Sequence, residues 1–225
     1  MSLKGEIEAK CPNGCPPFTA EIWSYIQGDK EPDLRLALLA REFNLLLCSG
    51  CDKPFFPQEA YIYYEPEAEV LAFVFPESFR ERADFWRAKM HEDFVVFKKG
   101  LGEKLSVDIE PEIFFGVEEL AELLEGEDFR GEEREVMEYY AKELGLAIYP
   151  VSRRFARQNG VPPALPYDPA GSAKPGRTEV LAGLRKVVEA NDRLTAYAKY
   201  LSELSASDRA DLPPKSSSKD LKEGN

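Results

Sequence analysis

The sequence predicts an α+β fold in which a small antiparallel sheet packs against helices. Three observations lead to this class. Apolar, strand-like runs dominate residues 18–75, and apolar stripes at helical spacing dominate residues 76–146. Two pairs of cysteines stand in turn-like stretches beside the strand-like runs. With 225 residues and 44% hydrophobic content, the chain is long enough to bury the core that such a fold needs.

Strand-like segments lie beside both cysteine pairs. FTAEIWSYI, from Phe18, mixes β-branched and aromatic residues, and FNLLLC, which ends at Cys48, is a second apolar run. Between these two segments, leucines at helical spacing predict a short helix or an irregular excursion: Leu34, Leu38 and Leu39. After Cys51, the runs EAYIYYE and EVLAFVFPE are separated by the turn-like residues 66–68, which predicts a hairpin.

The middle of the chain is predicted to be helical. Pro76 suits a helix start, and an apolar stripe with spacings of four, three and four follows it: Phe79, Ala83, Trp86 and Met90. A second stripe in residues 117–124 precedes Gly126, which is placed to end a helix. A third stripe, in residues 136–144, also ends at a glycine. These stripes predict helix surfaces that face a core.

The carboxy-terminal third changes in character. Residues 149–177 are dense in proline, glycine and small polar residues, which predicts a linker or a long loop. Residues 178–204 contain no proline and carry an apolar seam, which predicts a single C-terminal helix. Residues 205–225 have few apolar side chains and are expected to form a disordered tail.

The four cysteines of the chain form two close pairs. These pairs are Cys11 with Cys15 and Cys48 with Cys51. A tight turn with a thiol at each end supplies two converging thiolates, and two such turns complete a tetrahedral shell. Gly14 and Gly50 each precede the second cysteine of a pair, where a residue without a Cβ suits the turn. The spacing predicts a zinc-ribbon-like double cysteine knuckle in which the four cysteines bind a structural Zn²⁺.

Other interpretations of the cysteines stay open at the level of sequence. Iron bound by four sulfurs has the same geometry, so the sequence does not separate zinc from iron. A redox pair or a disulfide is less favoured, because CSGC is followed by DKPFFP, a poor helix start, whereas a thioredoxin-like motif opens a helix. The thiols could also be scattered and without a common role.

The cysteine stretches and the segments after them resemble the CpXC domain, a prokaryotic family named for its paired Cys-Pro-x-Cys motifs. The resemblance is carried by CPNGC, FTAEIWSYI, CSGC and the hairpin EAYIYYEPEAEVLAFVFPE, and it extends into the helical stretch GVEELAELLEGEDFRGEEREVMEYY. It covers residues 7–146 and implies a CpXC-like zinc-ribbon and helical domain over residues 1–148. The family has no assigned activity, so the resemblance supports the metal site more than a function.

Both pairs depart from the motif of the family. Three residues separate Cys11 from Cys15 where the motif has two, and Ser49 stands where the motif has proline. Neither change removes a ligand, because zinc sites tolerate a C-x-x-x-C spacing.

The charge distribution bears on partners. The net charge is −12, and residues 65–150 carry 23 acidic against 10 basic side chains, which would repel phosphate. We therefore expect no binding to nucleic acid. No stretch is apolar enough to span a membrane, and we expect a cytoplasmic protein. The seam of the predicted C-terminal helix could serve a protein partner or self-association, or it could pack on the chain's own helices.

Two functions from different classes follow from these patterns. The first is a non-enzymatic, zinc-stabilised module with a structural or protein-interaction role. The second is an enzyme with a site in the cleft between sheet and helices. His91 is the chain's single histidine, which excludes a histidine cluster, and no phosphate-binding loop is present. Four cysteines favour the first function, because a catalytic zinc usually keeps three protein ligands and an open position.

Overall fold

The computed structural model of the chain describes residues 2–101, 109–169, 175–206 and Pro213. The chain divides into two compact units, Met1–Glu125 and Gly126–Asn225.

The first unit contains most of the strands. Its elements, in chain order, are β1 (Leu3–Ala9), β2 (Phe18–Gln27), α1 (Pro32–Leu39), β3 (Leu46–Leu47), β4 (Pro54–Phe55), β5 (Tyr61–Glu65), β6 (Val70–Phe75), α2 (Ala83–Leu101), β7 (Glu112–Phe115) and the first part of α3 (Gly116–Glu143). A 3₁₀ turn, Glu77–Arg82, leads into α2. The hairpin predicted after Cys51 is present as β5 and β6. The predicted short helix or excursion is α1. The strand predicted to end at Cys48 is present only as the two residues of β3.

The five-stranded sheet has the order β1-β2-β5-β6-β7. Its ladders β1–β2 and β5–β6 are antiparallel, whereas β2–β5 and β6–β7 are parallel. The α+β class is confirmed, but the sheet is mixed rather than wholly antiparallel. The physical reason lies in the connections, because the segments that contain α1 and α2 are long crossovers, and long crossovers return the chain in the same direction.

Alternate residues of β6 contribute to two apolar cores of the first unit. Val70, Ala72 and Val74 lie in a cluster with residues of α1 and the start of α3. Leu71, Phe73 and Phe75 lie in a second cluster, which includes Met90 of α2. Because successive side chains of a strand point to opposite faces, β6 is buried on both sides and forms the centre of the unit.

One helix replaces two that the sequence predicts. Gly126 was expected to end a helix, but α3 runs through it from Gly116 to Glu143. A glycine ends a helix when it takes a positive φ, as Gly145 does just after α3 with φ +67°. Gly126 keeps helical geometry, so it only weakens the helix relative to alanine by about 1 kcal/mol.

The second unit adds a two-stranded sheet and three helices. Its further elements are β8 (Ala147–Pro150), α4 (Arg153–Asn159), β9 (Ala164–Tyr167), α5 (Arg177–Ala190) and α6 (Thr195–Ala206). The segment 149–177, predicted to be a linker or long loop, contains α4 and β9, and Ala156 and Leu165 are buried there. Ser152 accepts a hydrogen bond from the backbone N–H of Phe155 and caps α4.

The single helix predicted for residues 178–204 is two helices. Asn191 has extended backbone angles, and its side-chain Oδ1 accepts a hydrogen bond from the backbone N–H of Arg193. This Asn-based turn competes with the helix and ends α5. The apolar seam packs inside the unit's own core: Val180, Leu184, Val187, Leu194, Tyr197 and Leu204.

Most of the predicted tail lies outside the residues that the structure describes. The first two residues of the predicted tail, 205 and 206, complete α6, and the rest of 205–225 lies outside the described residues apart from Pro213. Within the ranges that the structure describes, no helix combines the length and apolar character that crossing a bilayer requires.

Candidate metal centre

The four cysteines lie in two connections between antiparallel strands. Cys11 and Cys15 are in the connection from β1 to β2, whose last pair is Ala9 with Phe18. Cys48 and Cys51 are in the connection from β3 to β4. Each pair therefore sits at the end of a two-stranded ladder, as the predicted double knuckle requires.

The structure brings the two pairs together. All four Sγ atoms lie within 4.8 Å of one another, and the Sγ atoms of Cys11 and Cys51 are 3.8 Å apart. A disulfide would hold two sulfurs at about 2.05 Å, and all four cysteines are free. A tetrahedral site with metal–sulfur bonds of about 2.3 Å has sulfur–sulfur edges of about 3.8 Å. The distance between Cys11 and Cys51 matches this edge, and the four sulfurs are close enough together to hold one metal ion.

The cluster is partly enclosed by apolar side chains. Cys48 is 0% exposed and Cys11 is 7% exposed, whereas Cys15 and Cys51 are half-buried. Ala9 and Phe55 complete the buried part of this cluster, and Phe18 meets Phe55 edge to face with ring centroids 6.2 Å apart. This enclosure limits the access of water to the sulfurs.

Backbone N–H groups point at one sulfur of each pair. The N–H of Asn13 donates to the Sγ of Cys11, and the N–H of Gly50 donates to the Sγ of Cys48, both at 3.4 Å. Such donors stabilise negative charge on a thiolate and orient the ligand. Each turn therefore directs one backbone donor at a sulfur of its cysteine pair.

The two glycines of the turns have distinct roles. Gly14 takes φ +77°, a conformation that favours glycine. A Cβ on Gly50 would lie 3.3 Å from the Cβ and 3.4 Å from the Sγ of Cys15. The first glycine therefore permits the turn, and the second permits the close approach of the two cysteine pairs.

Asn13 is a contributor that the sequence reasoning missed. Its side-chain Nδ2 lies 3.7 Å from the Sγ atoms of both Cys11 and Cys51, which come from different pairs. The side-chain amide thus spans the two knuckles. An asparagine inside the CPNGC turn was the available signal, because asparagine commonly bonds to nearby groups in turns.

The thiols of the first pair have unequal pKa values. The pKa of Cys11 is lowered to about 7, chiefly because the N–H of Asn13 stabilises its thiolate. The pKa of Cys15 is raised to about 12, because hydrogen bonds with Cys51 and Cys48 keep it protonated. Thiols must lose their protons to become ligands, so metal binding here would release protons. The residues fit a metal ion that accepts four sulfur ligands.

The sequence profile of the family described as CpXC protein matches residues 9–125. The chain belongs to the CpXC family. The match includes both cysteine pairs, and it ends at the residue where the first compact unit ends. The CpXC part of the chain is therefore the first unit. No curated protein and no solved structure matches the chain.

Proposed function

We propose that the four cysteines hold one structural Zn²⁺ and that the CpXC unit is a non-enzymatic binding module. The observation that carries the metal assignment is the close approach of the four sulfurs, within 4.8 Å of one another. Support comes from the N–H donors to the sulfurs of Cys11 and Cys48. When bound, zinc would cross-link the two knuckles through Cys11, Cys15, Cys48 and Cys51.

A structural role is favoured by the number of ligands. Four thiolates fill the tetrahedral shell of zinc and leave no position for a water or a substrate. Two of the sulfurs are buried, which further separates the metal from a reactant. Zinc is proposed ahead of iron because four-cysteine ribbon sites are a common structural form of zinc.

The alternative function, an enzyme with a site in the cleft between sheet and helices, has one observation in its favour. A cavity of about 550 Å³ lies at the end of the sheet, with Pro12 of the first cysteine turn on its wall. Its titratable lining consists of carboxylates, one arginine and one tyrosine, without a histidine or cysteine. The same side chains also suit a cavity that only binds a ligand, so they do not favour an enzyme over the non-enzymatic binding module.

A protein partner or self-association through the C-terminal helices stays a proposal. The seam that suggested it is packed in the core of the second unit, so a partner would need other side chains of that unit. Phe129, Val136 and Tyr139 of α3 are exposed at helical spacing and provide such a surface. Light scattering on the full chain tests the proposal, and a monomer at all concentrations would contradict self-association.

Elemental analysis of protein purified without added metal tests the metal assignment. We expect one zinc per chain, and a variant with all four cysteines changed to serine should contain none and should melt at a lower temperature. One iron per chain in place of zinc would overturn the choice of metal. A four-serine variant that melts like the parent would contradict the structural role.

A further inference from the structure

A cavity of about 550 Å³ opens in the first unit beside the cysteine centre. It lies where β5 begins, where β6 and β7 end, and where α3 starts. This volume is in the range of pockets that bind small molecules. Six aromatic side chains line it: Phe43, Phe55, Phe56, Tyr61, Phe75 and Phe115.

The wall of the cavity carries an excess of negative charge. Among the described residues, four carboxylates line it, together with a single cation, Arg80. The carboxylates are Glu59, Glu77, Glu118 and Glu119. Arg80 already donates to Glu77 at 2.7 Å and to Glu119 at 2.8 Å, and its guanidinium lies 5.3 Å from the ring centroid of Phe115. The one cation of the wall is thus committed to two of the four acids.

Glu118 is placed differently from the acids that pair with Arg80. No ion-pair partner of Glu118 occurs in the described part of the chain, and Arg41, the nearby cation, pairs with Glu125 and does not line the cavity. A Cβ on Gly116 would lie 2.8 Å from Oε2 of Glu118 and 3.2 Å from Oε2 of Glu77. Two carboxylates therefore converge over the backbone of Gly116, where α3 begins.

Tyr61 supplies a second, independent observation. Its side chain packs on Phe43, with ring centroids 4.9 Å apart, and the residue is only 8% exposed. Its hydroxyl has no hydrogen-bond partner among the described residues, although buried polar groups are almost always paired. Burial, and then the charge of Glu118, raise the pKa of Tyr61, so the hydroxyl stays neutral, and its oxygen can accept a hydrogen bond from a cationic N–H group. Tyr61 therefore brings to the wall of the cavity a buried hydroxyl that has no partner within the described part of the chain.

We propose that this cavity binds a small organic cation, an amine attached to a flat apolar body. Aromatic faces attract cations through their π electrons, and carboxylates attract them directly. The apolar body would be buried among the phenylalanines, with the ammonium near Glu118 and the hydroxyl of Tyr61. The inference deepens the proposed binding function, but it requires only a folded first unit and no particular metal.

Three probes of similar size and different charge test the proposal on the full chain. They are 2-phenylethylamine, 2-phenylethanol and 3-phenylpropionate, each titrated into isotope-labelled protein and followed by amide chemical shifts. We expect the amine to bind, with shifts centred on Tyr61 and Glu118. The alcohol should bind about tenfold more weakly, because it lacks the charge-assisted contact, and the carboxylate should bind most weakly.

Variants then assign the recognition to individual side chains. Glu118→Gln should weaken the amine about tenfold and leave the affinity of the alcohol unchanged. Glu122→Gln is the matched control, because Glu122 is exposed on the same helix and does not line the cavity. Tyr61→Phe should weaken the amine by a smaller factor.

The outcomes separate this proposal from the metal assignment. Equal binding of the three probes, no binding of the amine at millimolar concentration, or equal effects of Glu118→Gln and Glu122→Gln would each overturn it. Metal content is measured on the same samples. Protein that contains zinc but does not bind the amine would contradict this inference and leave the metal assignment intact. Protein that binds the amine but contains no zinc would contradict the metal assignment and leave this inference intact.

Discussion

The cysteine end of the first unit and the second unit differ in how much apolar core they contain. The first unit contains all four cysteines, and among the described residues the cluster around them has only two other buried apolar members, Ala9 and Phe55. The second unit contains no cysteine, and its helices and two-stranded sheet share one apolar cluster with thirteen buried members in the part that the structure describes, among them Leu165, Leu184 and Tyr197.

This difference indicates where a bound metal would contribute to stability. A small group of side chains cannot bury enough apolar surface to offset the cost of ordering the chain, so small folds add disulfides or metals. The knuckle end of the first unit is such a group, whereas the second unit has a continuous core. Metal removal should therefore act on the first unit, and removal of core methyl groups should act on the second.

The largest expected effect comes from Cys48→Ser. Cys48 is fully buried, and structural zinc contributes on the order of 10 kcal/mol to folding, so the variant should lose metal and hydrogen-exchange protection in the first unit. The amides of the second unit should keep their protection. Ser49→Ala, in the same turn but without a ligand atom, serves as the control. A Cys48→Ser variant that retained one metal per chain would break the comparison.

Leu184→Ala is the matching change in the second unit. Leu184 is 0% exposed in the core of that unit, and replacing a buried leucine with alanine leaves a cavity that lowers stability by about 2–5 kcal/mol. Chemical denaturation should report this loss while zinc content stays at the parental level. Leu144→Ala, at a position 41% exposed, should cost much less. Loss of zinc from the Leu184→Ala variant would show that the core of the second unit is needed for metal binding in the first unit.

Gly183→Ala sharpens the comparison by testing how tightly the second unit is packed. A Cβ on Gly183 would lie 2.4 Å from the backbone oxygen of Pro166, so α5 or β9 would have to move, at a cost of about 1–3 kcal/mol. Gly131→Ala, in helix α3 with nothing within 4 Å of the added Cβ, should instead stabilise by about 0.4–1 kcal/mol. Thermal melts that shift in the same direction for both variants would contradict this packing.

The smallest effect concerns a surface ion pair of the first unit. Arg41 donates to Glu125 at 2.8 Å and lowers the pKa of that carboxyl. A carboxyl with a lowered native pKa adds stability above its unfolded pKa of about 4.3, and this stability is lost as the pH falls through the native value. The Glu125→Gln variant should therefore have a slightly lower melting temperature than the parent at neutral pH. The difference between the two melting temperatures should disappear in acid.

The control for this pair is Glu8→Gln, on exposed strand β1. Salt should also shrink the Glu125 effect, because exposed ion pairs are screened. A difference in melting temperature between Glu125→Gln and the parent that grew in acid would contradict a stabilising role of the ion pair at neutral pH.

The local features of the metal centre could be predicted from sequence. Each cysteine pair belongs to one short turn, so the spacing of Cys11–Cys15 and Cys48–Cys51 already implied converging thiols, and the structure brings the four sulfurs together. The pairing of β5 with β6 was predicted for the same reason, since a short turn joins two apolar runs. The identity of the metal, and the role of the four cysteines as its ligands, stay predictions.

What the sequence did not reveal depends on long-range pairing or on weak local signals. Strand β1, LKGEIEA, alternates apolar or small residues with charged ones, and this period-two signal was missed; most of its residues are exposed, and it pairs with β2. Strands β8 and β9 contain Pro150 and Pro166, which argue against strands. Proline is tolerated there because both strands are edges. The parallel ladders follow from crossovers whose path no local pattern fixes.

The span between the two cysteine pairs has a consequence for the denatured chain. Cys11 and Cys51 are 40 positions apart, so a metal that joins them closes a large loop through β2 and α1. By analogy with a cross-link of that length, the closure removes configurational entropy from the unfolded ensemble worth about 4 kcal/mol. Loop closure grows only logarithmically, and doubling the span would add about 0.6 kcal/mol. Insertions in the turn before α1 should therefore change the contribution of the metal very little.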